Sequence, residues 1–411
     1  MQHVNFRSGL LFAFLLFFVS CNKVHDELHD IFDKDPKASK KVYVDNINRL
    51  YAAVNDSANR GKTIVLAPGT YMLNPNNPNG GRLDLLKDMS LLGQQGHPES
   101  VIIDASALPR SSVEIQTSLG TFRTGVIRTG NGNNAIEWMT LQSNGTNQDI
   151  RSLIQTDIVA TPVTRIRVAH TIVQGAGIGI NIANRDTTSN GRTIEAEIED
   201  NEVRNNNLAS NGFGIFIQSQ GASNGTIRAV LKRNYIHGNQ QGLIANQSIC
   251  RNHKTIIESH NDRIEENGIG VGLRGGVSTR ANTPVENNVI RFSAFRTDIR
   301  NNQGTPQPFF PPFTGGVYIA GGVLEPVATP GTVNNNRVEA SFTACRIEGN
   351  VGVAQITAFG AHSTVAGTPP VGTNNVASIY LSGISRNATV SAVPSIPLEP
   401  AGTNRVDVVR Q

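Results

Sequence analysis

The chain has 411 residues, among them 43 Asn and 40 Gly, while only 17% are charged and 6% aromatic. That balance excludes coiled coils, helix bundles and charged disordered polymers, and the density of turn formers predicts many short strands. The net charge of +4 is spread without any Lys/Arg-rich run, which argues against a nucleic-acid partner, and three cysteines, Cys21, Cys250 and Cys345, are too few for a disulfide framework.

In chain order the first feature is Leu10 to Val19, ten apolar residues after a segment carrying a single Arg. The run falls short of the roughly 20 residues needed to cross a bilayer and fits the apolar region of a secretory signal. The residues that close it, Phe18-Val19-Ser20-Cys21, resemble a bacterial lipobox. The resemblance implies removal of residues 1–20 and lipidation of Cys21. Because Asn22 rather than Asp follows, it also implies transfer to the outer membrane. An ordinary signal peptide with an incidental Cys is the alternative. Residues 21–41 are charged, contain Pro36 and read as a flexible tether, leaving 42–411 as the folded part.

A helix is expected over 45–59, where Ile47, Leu50, Tyr51, Val54 and Ala58 share a face, Asp45 can cap the start and Gly61 lies past the end. Short strands follow at 63–71, 83–92 and 101–104. From residue 134 a repeat sets in. An aliphatic residue recurs at Leu141, Ile172, Val203, Ile236, Ile264, Ile299 and Ile347, at intervals of 31, 31, 33, 28, 35 and 48. Three residues after each come Asn144, Gly175, Asn206, Asn239, Asn267, Asn302 and Asn350. Two residues before each stand Met139, His170, Asn201, Asn234, Asp262, Thr297 and Cys345.

A unit of this size holds two or three strands and cannot bury its own apolar face. Units must therefore stack, each strand pairing in parallel with the next coil about 4.8 Å away. Val168, Ile198, Leu231, Ser259, Ala294 and Phe342 then form one internal column, and the Ile236 series another. Buried Asn at tight turns tolerates the left-handed conformation and passes side-chain hydrogen bonds from coil to coil. The expected fold is all-β: a right-handed parallel β-helix, with the helix at 45–59 capping its N-terminal end.

The stretch Leu50-Tyr51-Ala52-Ala53-Val54 through Ile64-Val65-Leu66-Ala67-Pro68-Gly69-Thr70-Tyr71, with the Asn series, resembles the pectin-lyase-like superfamily over roughly residues 42–395. The resemblance implies this scaffold but no single reaction. Most enzymes of that superfamily cut acidic polysaccharides, and other members only bind or serve as structural parts.

On the upstream strands three outward ladders are predicted. They run Arg165, Glu195, Arg228, Ile256, Arg291, Glu339; then Arg167, Glu197, Val230, Glu258, Ser293, Ser341; then Ala169, Glu199, Lys232, His260, Phe295, Thr343. One reading is that Arg165–Glu195–Arg228 and Glu199–Lys232 are cross-strand ion pairs, each contributing about 0–1 kcal/mol and fixing register. The other is a groove in which Arg165, Arg167, Arg228 and Lys232 grip the carboxylates of an acidic glycan. A lyase there would need calcium, for which Glu195, Glu197 and Glu199 supply oxygens, with Arg167 or Lys232 as base and His260 as acid. The absence of an Asp-Asp pair, and Ile236 rather than Gly before His237-Gly238, argue against hydrolysis of the polygalacturonase kind. Cys250-Arg251-Asn252-His253 offers too few ligands for zinc, and a Cys250–Cys345 bridge would have to span several coils. The longest insert, 302–336, places Phe309, Phe310 and Phe313 among prolines, either to stack on sugar rings or to cover the side of the coil. The sequence thus points to an exported, lipid-anchored envelope protein that binds an acidic polysaccharide. A uronate lyase and a structural or adhesive spacer are the alternatives.

Overall fold

The chain turns wherever a residue with positive φ is followed at once by a buried one. At the first bend of successive coils the positive-φ residues are Trp138, His170, Asp200, Arg233, Asn261, Arg296 and Ala344, with φ from 49° to 58°. Directly after them Met139, Thr171, Asn201, Asn234, Asp262, Thr297 and Cys345 are buried. At the second bend Gly175, Asn205, Gly238, Glu266, Asn301 and Gly349 have positive φ, and Ala176, Asn206, Asn239, Asn267, Asn302 and Asn350 are buried behind them. A third bend repeats the device with Asn252, Asn287, Asn335 and Asn374 before His253, Asn288, Asn336 and Asn375. The recurring Asn-Asn pairs of the sequence therefore divide their labour. The first supplies the left-handed turn, which Asn tolerates, and the second supplies the buried hydrogen bonds to the backbone of the bend, although Asn374 also donates to Asn335 on the exposed side at 3.1 Å.

Asn239 shows what the buried member does. Its Oδ1 accepts from the backbone N–H and the Nδ2 of Asn206, both at 3.0 Å. Its own Nδ2 donates to the carbonyl of Val203 at 2.9 Å and to Asn267 Oδ1 at 3.0 Å. Backbone groups at a sharp bend have no ladder partner of their own, and one amide at the bend satisfies them.

The computed structural model describes residues 41–411 apart from 118–119, 145–148, 157–160, 208–211, 280–282, 305–314, 325–331, 353, 364–371, 385–387 and 397–402. Lys41–Gln411 forms one compact unit. Among the described residues the strands between bends build three parallel sheets, of twelve, nine and ten strands. In each coil a first-sheet strand such as Thr226–Lys232 leads to a three-residue second-sheet strand, Tyr235–His237, and then to a longer third-sheet strand, Gln241–Ser248. The coil closes on itself as a right-handed parallel β-helix, whose interior is a continuous column of Ile, Val, Leu, Ala and Phe.

The first-sheet register follows the expected columns at every step: Val168 pairs with Ile198, then Leu231, Ser259, Ala294 and Phe342. One second-sheet assignment is corrected. Leu141 pairs with Val173, not Ile172, and Val173 with Val203. Thr171 and Ala176 therefore occupy the ladder positions expected for His170 and Gly175, which are instead the positive-φ residues of their bends. On the third sheet, a Cβ built on Gly214 would meet the Gly242 carbonyl at 2.8 Å and Asn239 Nδ2 at 2.9 Å, so the ladder leaves room there for glycine only.

The N-terminal helix is shorter than expected. It spans Ile47–Asn55 and is capped by Asn46, whose side chain accepts from Arg49 N–H at 3.0 Å. Asp45 instead takes the Arg49 guanidinium at 3.1 Å. Asp56 leaves helical geometry and caps a separate turn at Ser57–Asn59 through Ala58 N–H. Leu50, Tyr51, Ala53 and Val54 are buried against the first coil, where Tyr51 Oη donates to the Gly81 carbonyl at 2.8 Å. Cys250 and Cys345 are buried and unbridged.

Candidate functional site

The expected charged face exists, and its side chains engage one another. On the first sheet Arg165 Nε meets Glu195 Oε2 at 2.8 Å. Arg167 touches three carboxylates: Glu137 at 2.6 Å, Glu197 at 3.5 Å and Glu199 through Nη2. Lys232 Nζ binds Glu197 Oε1 at 3.0 Å rather than the expected Glu199, which also receives Arg233 at 3.5 Å. Lys232, Glu197 and Glu199 are buried. Burial works against the Arg167 charge, yet the Glu199 hydrogen bond and the Glu137, Glu199 and Glu197 charges outweigh it and hold the guanidinium above its usual range. Burial also pushes the Glu137 carboxyl up.

His260 lies beside Lys232 in register and 3.4 Å from Glu258. Arg228 is half-buried, and among the described residues it has no ion-pair partner. No group of three or more His, Cys, Asp and Glu among the described residues could hold a metal ion. Glu195, Glu197 and Glu199 meet arginine and lysine instead. Cys21, Phe309, Phe310 and Phe313 lie outside the described residues.

A different cluster lines a cleft on the outer face of the third sheet, in which Arg185, Arg274, Gln218, Phe213 and Phe216 are themselves buried. The cleft, of about 390 Å³, is lined by Arg123, Arg151, Arg185 and Arg274, with Gln218, Gln220, Asn246, Phe122, Phe213 and Phe216. No carboxylate occurs among its described lining residues. Three sources converge there. Arg123 ends the antiparallel hairpin Glu114–Thr117/Gly120–Arg123, which leaves the coil before the third-sheet strand Gly125–Thr129. Arg151 immediately precedes the strand Ser152–Thr156. Arg185 and Arg274 stand on the strands Ile178–Arg185 and Ile269–Ser278.

Arg185 Nη1 donates to the Arg123 carbonyl at 2.8 Å, and its Cζ lies 5.3 Å from the Phe122 ring centre. Phe213 and Phe216 stack at 4.6 Å. Burial, then the charges of Arg185 and Arg123, pull the Arg151 guanidinium down to about 10. Such a site supplies charge-assisted donors to an anion, amides to hydroxyls and a flat apolar surface.

The protein is a right-handed parallel β-helix protein. No protein-family model and no curated protein matches it. Among solved structures it is similar to the A-module of the Azotobacter vinelandii mannuronan C-5 epimerase AlgE6, at 14% identity over 89% of this chain and 93% of that one, TM-score 0.38. It is also similar to the A-module of AlgE4 from the same organism, at 14% identity over 88% and 93%, TM-score 0.34. A third is PfbA, a surface adhesin of Streptococcus pneumoniae, at 9% identity over 89% and 84%, TM-score 0.32.

Proposed function

We propose that the protein binds an acidic polysaccharide in the arginine cleft of the third sheet. The observation that carries this reading is the meeting of four arginines with amides and stacked aromatics in a cleft whose described lining has no acid. Guanidinium forks form paired hydrogen bonds to carboxylate or sulfate groups, and such charge-assisted bonds are stronger than neutral ones. Gln218, Gln220 and Asn246 suit sugar hydroxyls, and the Phe213–Phe216 pair suits the apolar face of a sugar ring. On the first sheet a ligand would have to displace internal ion pairs, leaving buried charges unpaired at a cost of several kcal/mol.

The test is retention of the protein on immobilised polygalacturonate against a neutral glucan. Retention on the acidic matrix is expected, with release by salt as charge is screened. Arg274→Ala should weaken it by about tenfold or more, the equivalent of one charged hydrogen-bonding group, read at a temperature where the variant's melting curve shows it folded. Equal passage through both columns would sink the reading and leave a structural spacer.

One observation favours cleavage as a second reading. A guanidinium drawn down to about 10 is a stronger candidate base than an ordinary arginine. At neutral pH it still holds its proton in about 999 molecules of 1,000, so binding is the better supported of the two. Release of unsaturated products absorbing in the ultraviolet would establish a lyase.

We further infer export and anchoring through Cys21, supported by the apolar run that ends in Ser20-Cys21. Cys21→Ser should abolish incorporation of labelled fatty acid. Unchanged labelling would rule out the anchor.

A further inference from the structure

Of the amides that line the cleft, Gln218, Gln220 and Asn246, only Asn246 holds a buried polar atom without a hydrogen-bond partner, its Oδ1. Its neighbour in the preceding coil is engaged. Gln218 Nε2 donates to Asn181 Oδ1 at 3.0 Å, and Asn181 Nδ2 donates to Gln155 Oε1 at 2.9 Å, a short amide ladder on the third sheet. Asn246 pairs with Gln218 in the strand register but does not extend that ladder. On its other side it pairs with Arg274, whose Cζ lies 5.8 Å from the Tyr318 ring centre. The ladder therefore stops inside the cleft, at a half-buried amide beside a guanidinium.

A buried acceptor with no partner costs the folded protein the desolvation of that group. Such a cost is retained at binding sites, where a ligand removes it. Half a turn about the Asn246 Cβ–Cγ bond, a soft rotation for an amide, brings the oxygen to the cleft. The guanidinium groups around it only donate, so they ask the ligand for acceptors, and any polyanion supplies those. Asn246 Oδ1 asks instead for a donor. An ionised carboxylate has none, whereas a sugar hydroxyl does. Outward side chains on neighbouring coils stand about 4.8 Å apart, a span that one sugar ring bridges from its carboxylate to a ring hydroxyl.

We propose that Asn246 is a specificity-determining residue of the cleft. It accepts a hydrogen bond from a ring hydroxyl of the bound uronate and so separates a hydroxylated acidic polymer from a plain polyanion. The inference rests on the acidic-glycan reading and narrows it to polymers that carry acid and hydroxyl on one ring. Asn246 lowers the stability of the free protein, and the ligand offsets that loss.

The test is calorimetric titration of the whole protein with polygalacturonate and with polyacrylate, a carboxylate polymer that has no hydroxyls, at equal carboxylate concentration and ionic strength. The parent should prefer polygalacturonate. Asn246→Leu keeps the approximate size of the side chain and removes the amide. It should bind polygalacturonate about tenfold more weakly, the loss of one hydrogen bond and its desolvated partner, bind polyacrylate as the parent does, and melt above the parent. Asn246→Ala, titrated where its melting curve shows it folded, should repeat the binding pattern. A lower midpoint for Asn246→Leu with both polymers weakened alike would mark a residue that only supports the fold, and overturns the inference. Polygalacturonate affinity unchanged in both variants, or equal parent affinity for the two polymers, also overturns it and leaves the acidic-glycan reading standing. Absence of binding to either polymer overturns both.

Discussion

Asp262 stands where the two preceding coils carry asparagine. Asn201 and Asn234 use Nδ2 to donate to the carbonyls of Val168 and Ile198, at 2.9 and 2.8 Å. A carboxylate cannot donate. Asp262 accepts twice from Asn234 through Oδ1, and its Oδ2 accepts from Ser259 Oγ at 2.6 Å. Two departures from the repeat, a serine in an aliphatic column and an acid in an amide ladder, are therefore one feature. Burial pushes the Asp262 carboxyl up to about 6, against the hydrogen bonds from Ser259 and Asn234. Its folded value thus exceeds the unfolded one, near 3.9. The stability it contributes is full below about pH 4 and is lost as pH rises through about 6. Asp262→Asn should melt above the parent at pH 7.5, with the gap closing toward pH 4.5. A gap independent of pH would show that this carboxyl does not titrate in the window. Burial draws His253 down to about 3, so it works in the opposite sense. It is common to both proteins and drops out of the difference. Both unusual residues are visible in the sequence, but their coupling appears only when the coil brings them to 2.6 Å.

At the scale of the element, each bend separates a conformational role from a hydrogen-bonding one, and the two respond differently to substitution. Asn205 has φ 54° and supplies only the turn, so Asn205→Gly should change stability by less than about 0.5 kcal/mol. Asn239→Leu strips partners from the Asn206 N–H and the Val203 carbonyl. Each orphaned group costs about 1–3 kcal/mol, so a lower denaturation midpoint is expected. Similar midpoints for the two variants would contradict the division of roles. The same bends explain which parts of the repeat could be read. The first-sheet columns were legible across all five steps from Val168 to Phe342, because inserts fall elsewhere in the coil. The second sheet slipped by one residue at Ile172, since Ile172 and Val173 are both β-branched and hydropathy cannot choose between them. The marker that decides is the positive-φ residue, and at the first bend it is Trp, His, Asp, Arg, Asn or Ala as readily as glycine.

At the scale of the molecule, the face with the clearest pattern of charge is largely satisfied internally, whereas the open cleft had no pattern to read. Arg123, Arg151, Arg185 and Arg274 come from a hairpin, a strand approach and two strands whose separations change with every loop. Their convergence is a property of the stack. A sequence signal existed in the third-sheet row Ala183, Gln218, Asn246, Arg274, but only after that sheet had been aligned on its own. The amide ladders have one more effect. From Asn201 to Asn234, from Asn206 through Asn239, Asn267 and Asn302 to Asn350, and from Asn288 through Asn336 and Asn375 to Asn404, each side-chain amide-to-amide bond runs from Nδ2 to the Oδ1 of the next coil toward the C-terminus, while Nδ2 also reaches a carbonyl of the coil before. The Oδ1 atoms of each ladder all face the coil before, so these bonds share one direction and polarise one another. The solenoid thereby acquires a head and a tail, as a single peptide helix does, and a polymer lying along it meets a different field in each of its two directions.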